Sequence, residues 1–225
     1  MNVTLCSAFR NSCGYLPRYL DQCHQLDALL HAQGHSLRFV WGEGDSTDAT
    51  LKTLQAATYR FRATIVDCTH GGQVYGSIES WLRFKQLSHV GNTIWAAIPE
   101  DTDAVIYVES DLIWEPATLV KLLEALTVYP AVVPMIMDSP PLESFYDVWA
   151  YRRNGIRFTK RFPFHADFWP HSVMQLDSAG SCMALRWKLA QWLSFPEDCF
   201  VGFCRLLHEQ GGELWLDPTL VCFHP

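Results

Sequence analysis

The chain has 225 residues and a formal charge of −7, with 49% of its residues apolar and 18% charged. This composition excludes a disordered chain, leaves room for a large core without disulfide or metal staples, and argues against bulk binding of a polyanion. The 13 Phe, 9 Trp and 8 Tyr exceed what one core needs and raise the expectation of a stacking surface. None of the eight cysteines forms a C-x-x-C pair, which speaks against zinc knuckles and thioredoxin-like chemistry. No basic-then-apolar leader opens the sequence and no window approaches 18 uninterrupted apolar residues, so a cytoplasmic protein with reduced thiols and no membrane span is expected.

In chain order, Val3–Phe9 reads as a buried strand. Leu16, Tyr19, Leu20, Cys23, Leu26 and Leu30 then recur at helical spacing, with Pro17 tolerable in the first turn. Leu37–Trp41 is a second strand, Asp48–Ala57 a short helix and Ala63–Val66 a third strand. A helical stretch follows over roughly Ser77–Ile98, with a possible break at Gly91. Ala104–Val108 is a fourth strand, Pro116–Val128 a helix and Ala131–Met135 a fifth strand. Ser139–His171 is rich in proline and aromatic residues without periodicity and reads as a long functional loop. Asp177–Arg186 looks like strand, Trp187–Leu193 and Glu197–Gln210 look helical, and Leu214–His224 is extended. The alternation predicts an α/β fold with a mainly parallel, Rossmann-like sheet, whose ligands bind beyond the carboxyl ends of its strands.

That rule selects two acidic clusters. Glu109-Ser110-Asp111 follows the apolar strand VIYV, where paired carboxylates suit a hard divalent cation; capping of the next helix by Asp111 or Glu115 is the plainer alternative. Gly42–Thr50 follows the second strand. There Glu43 and Asp45 can accept hydrogen bonds from a base or ribose, or Asp45, Ser46 and Asp48 can simply cap a helix. No G-x-G-x-x-G, P-loop or G-x-S-x-G motif is present, which disfavours a dinucleotide fold, a P-loop nucleotide site and a hydrolase elbow. A nucleotide would be held by carboxylates, a metal and scattered bases such as Arg10, Arg83 and Lys85.

The segments "SAFRN", "GEGDSTDAT", "VIYVESD", "FYDVWAYRRNGIRF", "DSAGSCMALR" and "GGELWLDPTLVCFHP" occur in this order from Ser7 to Pro225. With them the chain resembles nucleotide-sugar-dependent glycosyltransferases of the glycosyltransferase-A fold, within the branch of fungal mannosyltransferases and capsule-associated transferases. The resemblance implies a single domain over 1–225, with 1–111 the nucleotide-sugar half and 112–225 the acceptor and catalytic half. It implies that Ser7, Arg10, Glu43 and Asp45 cradle base and ribose and that Arg83 faces the donor diphosphate. E-S-D stands where the family has D-x-D, which makes Asp111 the metal ligand and Glu109, with Ser110, a donor contact. His224 matches a histidine that completes the shell of a divalent Mn²⁺ or Mg²⁺.

Sugar transfer expels a nucleoside diphosphate through an oxocarbenium-like state, and an inverting enzyme needs a carboxylate base beside the acceptor hydroxyl. Glu197-Asp198 matches the family's acidic pair, with Asp198 the expected base; both also suit a helix N-terminus. The fungal members are retaining, which leaves the stereochemistry open. Asp177, before the small residues Ser178-Ala179-Gly180-Ser181, is expected to contact the donor sugar, and Asp147 and Trp149 the sugar or acceptor. Within Phe145–His171, Arg152, Arg153, Arg157, Lys160 and Arg161 face only Asp147 and Asp167, interleaved with aromatics such as Trp169. Such a patch suits stacked bases and phosphates, or sugar rings, or is a loop pinned by buried aromatics. The expected donor is a UDP- or GDP-sugar and the expected acceptor a glycan or other hydroxylated molecule, with Arg152, Arg153 and Trp169 on the acceptor side. The alternatives are glycosylation of hydroxymethylated DNA bases, an inactive sugar-binding relative and a carboxylate-metal nuclease.

Overall fold

The computed structural model describes residues 1–76, 78–140 and 144–225. Among the described residues nine strands form one mixed sheet. In chain order they are β1 (Asn2–Phe9), β2 (Ser36–Glu43), β3 (Ala63–Asp67), β4 (Ala104–Val108), β5 (Ile113–Trp114), β6 (Ala131–Asp138), β9 (Met174–Leu176), β10 (Cys182–Arg186) and β11 (Leu214–His224). The order across the sheet is β3-β2-β1-β4-β10-β6-β11-β5, with β9 also on β11. β3, β2, β1 and β4 are mutually parallel, β10 runs against β4 and β6, and β6 and β11 are parallel. Six strands therefore share one direction and end on one edge of the sheet, where the reversed β10 begins.

The helices follow from apolar spacing and its interruptions. α1 (Leu16–Ala32) buries Leu16, Tyr19, Cys23, Leu26 and Leu30 of the predicted stripe, leaves Leu20 partly buried, and packs on α4 (Pro116–Ala125). α2 spans Thr50–Ala57, starting two residues later than expected because the Asp48 carboxylate accepts the Thr50 amide at 2.9 Å. α3 (Trp81–Ala96) packs on α6 (Cys199–Glu209) and continues through Gly91, whose missing side chain makes room for the Phe195 ring. The start expected at Ser77 lies outside the described residues. α5 is a single turn, Trp187–Ala190. Because β1 leads to β2 on one side and β4 lies on the other, β1 and β4 flank the topological switch point.

Two expectations change. The strand expected over Asp177–Arg186 is split: β9 ends at Leu176, and 177–181 bend before β10, with Ser181 at φ +57°. The loop Ser139–His171 is more ordered than its sequence suggests. It contains a hairpin of β7 (Arg152–Arg153) and β8 (Ile156–Arg157), and residues 141–143 within it lie outside the described residues. Phe145, Tyr151 and Phe158 are fully buried and pack edge-on or tilted against one another, with Phe164 and Phe168 beside them. Much of the aromatic excess is therefore core rather than stacking surface. A second cluster joins Trp95 to Trp187, Phe195 and Phe203 between α3, α5 and α6. All eight cysteines are free thiols; seven are buried and Cys13 is half-buried. No described helix is long and apolar enough to cross a membrane.

The segment after β3 is tied to the end of β2 by one side chain. Asp45, at φ +59°, accepts the amides of His70 at 3.1 Å and Gly71 at 3.1 Å. The His70 amide, helped by Gly71 and the nearby His70 and Arg10 charges, holds the Asp45 carboxyl below its ordinary value against the opposing effect of burial. Asp45→Ala should speed hydrogen exchange at His70 and Gly71 by roughly 5- to 30-fold, the factor for about 1–2 kcal/mol of lost hydrogen bonding. A depressed carboxyl stabilises the fold above its unfolded value and loses that contribution as pH falls through the folded one. The gap in unfolding free energy between wild type and variant should accordingly close on acidification, as read by urea titration.

Candidate active site

Two compartments open along the common strand edge. The first lies over the ends of β1, β2 and β4 and is lined by Arg10, Asn11, Tyr15, Gly44, His70, Tyr75, Ser110 and Asp111, among others. The second lies between the start of α3, residues 146–150 and the start of α6, and is lined by Phe84, Asp147, Trp149, Lys160, Ser181 and Asp198, among others. Arg83, Leu87, Glu109 and Tyr146 line both.

At the junction the backbone forces carboxylates together. The Glu109 amide donates to the Ser181 carbonyl at 2.8 Å, which joins the end of β4 to the start of β10. The positive φ of Ser181 turns its hydroxyl to donate to Asp147 at 3.0 Å, while the other Asp147 oxygen accepts the Ala150 amide at 3.1 Å. Burial, then the Asp111 and Asp147 charges, push Glu109 up to about 8; burial also raises Asp147. Asp111 is anchored through its carbonyl by Arg18 at 2.6 Å, and its carboxylate lies 3.4 Å from His224 Nε2. The His224 ring stacks on Tyr146 with centroids 3.7 Å apart. Burial opposes the imidazolium, but Asp111 and Glu109 outweigh it and the His224 pKa is raised.

Among the described residues no three His, Cys, Asp or Glu side chains are grouped so as to hold a metal ion by themselves. The Asp111–His224 pair beside Glu109 nevertheless suits a divalent cation that takes one or two protein ligands and completes its shell with substrate phosphates and water. The crowding of carboxylates around Glu109 is the kind of field such a cation relieves.

The sequence-predicted residues divide into three groups. Arg10, Arg83, Glu109, Ser110, Asp111, Asp147, Trp149 and Asp198 line the cleft, and His224 joins it through Tyr146 and Asp111. A second group braces its walls. Ser7 is fully buried, donating to the Val108 carbonyl at 2.7 Å and accepting from Tyr19, so it ties β1 to β4 rather than facing a ligand. Glu43 is buried with one carboxylate oxygen unpartnered, and Asp45 holds the His70–Gly71 segment. A third group lies elsewhere. Asp177 accepts the Gly155 amide of the hairpin turn at 2.6 Å, and Glu197 is exposed, 3.9 Å from Lys85. Arg153 and Trp169 line a separate surface groove with Trp215.

Three arginines of the loop, Arg152, Arg153 and Arg157, are already engaged. Arg152 and Arg157 lie over the Trp149 indole at 4.4 and 4.8 Å, Arg157 pairs with Glu79 at 2.7 Å, and Arg153 pairs with Asp167 and donates to the Gln175 carbonyl. The second compartment itself is acidic, with Glu79, Glu109, Asp138, Asp147 and Asp198 against Arg83 and Lys160. Sequence reasoning missed Tyr146 and Ser181 as site residues. Tyr146 stood next to the chosen Asp147 in "FYDVW", but nothing in the sequence marks a stacked tyrosine. Ser181 had been read only as part of a run of small residues.

No protein-family model matches the chain, and no curated protein matches it. Its architecture is shared with solved structures. Residues 1–349 of S. aureus TarS superpose with a TM-score of 0.62 at 12% identity, covering 99% of this chain and 59% of that one. The mannosyltransferase PcManGT of Pyrobaculum calidifontis, in complex with GDP-Man and Mn²⁺, gives 0.62 at 16% identity, covering 98% and 56%. The TarS fragment in complex with UDP-GlcNAc gives 0.60 at 12% identity, covering 99% and 57%. The chain thus spans less than three fifths of each of these neighbours. The likeness establishes the glycosyltransferase-A fold, a mixed α/β domain with its cleft on the carboxyl edge of a largely parallel sheet.

Proposed function

We propose that the protein is a glycosyltransferase that moves a sugar from a UDP- or GDP-linked donor to a hydroxyl of a glycan or other hydroxylated acceptor. The observation that carries this reading is the pair of compartments that meet at Glu109, Arg83 and Tyr146, one for each substrate of a group transfer. Neighbours of the same fold that hold GDP-Man and UDP-GlcNAc support the donor class.

In this reading the nucleoside occupies the first compartment beside Arg10 and the segment that Asp45 holds, with Glu43 behind the wall. Arg83 and Ser110 face the diphosphate, and residues 1–111 supply most donor contacts. Asp111 and His224 would hold Mn²⁺ or Mg²⁺, which bound with the diphosphate would neutralise charge on the leaving group. The sugar lies at the junction beside Glu109 and Asp147. The acceptor enters over Trp149, and Asp198 accepts its proton as the hydroxyl oxygen bonds to the anomeric carbon and the bond to the diphosphate oxygen breaks. The nucleoside diphosphate leaves with the bonding pair; as a single displacement from the face opposite it, this transfer inverts the anomeric carbon. A nucleic-acid acceptor is disfavoured because Arg153 and Arg157 are ion-paired within the protein, Arg152 stacks on Trp149, and the charged residues lining the second compartment are mainly acids.

Free nucleoside diphosphate released from a panel of donors is the direct test, and no release from any donor would overturn the reading. Asp111→Ala should abolish turnover, and excess chelator should do the same to the wild type; full activity in chelator refutes the metal. Asp198→Asn should lower transfer by two to four orders of magnitude, roughly the worth of a general base, with donor affinity unchanged. Transfer should be nearly insensitive to salt, whereas phosphate contacts would give a steep loss on a logarithmic plot.

A further inference from the structure

Position 202 carries an unusual choice. It lies in the first turns of α6, is buried, and is glycine, the least favourable helix residue after proline. Its φ is ordinary, so the backbone does not require glycine there. The space does. A Cβ built at 202 would lie 2.0 Å from Asp198 Oδ1 and 2.8 Å from its Cγ, with Pro196 Cγ at 2.9 Å. The Asp198 side chain therefore fills the notch that the absent side chain leaves. It makes no cap hydrogen bond to the helix it precedes, so capping does not explain its orientation. Its other oxygen lies 3.5 Å from Arg205 Nη1, about two turns further along.

We infer that Gly202 is a positioning residue: with Arg205 it sets the aim of the Asp198 carboxylate into the second compartment. The inference rests on the reading of Asp198 as the proton acceptor. Any side chain at 202 forces the carboxylate oxygen back by more than ~1 Å, and a displacement of that size from a near-attack geometry costs on the order of 100-fold in rate. Arg205 is exposed, so its removal loosens the carboxylate without disturbing the core.

The test is a cycle of Gly202→Ala, Asp198→Asn and the double variant, with Arg205→Met alongside. Gly202→Ala should lower kcat for transfer by about 10- to 100-fold while donor affinity, measured by titration calorimetry, stays unchanged. Arg205→Met should lower kcat in the same direction but less, at unchanged thermal stability. The double variant should be no slower than Asp198→Asn alone, because the aim of a base that has been removed no longer matters. A double variant slower than Asp198→Asn, or a kcat loss tracking a fall in melting temperature, would assign Gly202 to packing against Pro196 and overturn the inference. Full activity of Gly202→Ala would overturn it equally. If Asp198→Asn itself remains active, the reading of the base fails instead, and the two failures are distinguishable.

Discussion

The shared direction of β3, β2, β1, β4, β6 and β11 is the constraint on which the rest of the molecule depends. Parallel strands deliver their carboxyl ends to one edge, and here those ends carry or precede Asp67, Glu43, Arg10, Glu109, Asp138 and His224. A sheet of alternating direction would scatter the same residues over two edges. The reversed β10 completes the arrangement, because its first residues arrive at this edge as the others leave it. That is why the Ser181 carbonyl can receive the Glu109 amide and why its hydroxyl reaches Asp147.

Gathering acids at one edge has a cost that the protein distributes unevenly. Acids around the first compartment find partners: Asp45 takes two amides and Asp111 lies against His224. At the junction Glu109 and Asp147 share Ser181, and burial first, then the Asp111 and Asp147 charges, lift the Glu109 carboxyl to about 8. Such a concentration of charge is poor engineering for stability and good engineering for a site that receives a polarised ligand. The arginines of the β7–β8 region work in the opposite sense. They clamp Trp149 and pair with Glu79 and Asp167, spending their charge on rigidity rather than on solvent.

Much of this was legible in the sequence, for identifiable reasons. Strands β1 to β4 and helix α1 are long or cleanly periodic apolar segments, and for them one-dimensional pattern and three-dimensional burial coincide. The acidic ends of β2 and β4 could be chosen because the carboxyl-edge rule needs only strand order. What failed were readings that needed contacts between distant segments. The basic loop was read by composition, and composition does not reveal that Arg157 reaches Glu79 or that Phe145, Tyr151 and Phe158 form a core of their own. Asp177 was chosen for the small residues that follow it and Ser7 through the family resemblance, yet one accepts the amide of a hairpin turn and the other is interred between two strands. The start of α2 was misplaced because the Asp48 carboxylate takes the Thr50 amide.

The burial of the thiols bears on how the protein can be handled. Burial pushes Cys68, Cys199 and Cys204 up to about 12, so at neutral pH these sulfurs are protonated and sterically shielded. Cys13 alone of the eight is not buried, and it sits between Asn11 and Tyr15, which both line the first compartment. A maleimide fluorophore added to the folded wild-type chain would therefore attach at a single place. Without any cysteine having been engineered, the protein presents a native reporter position in the loop between β1 and α1, beside Thr50 at the start of α2.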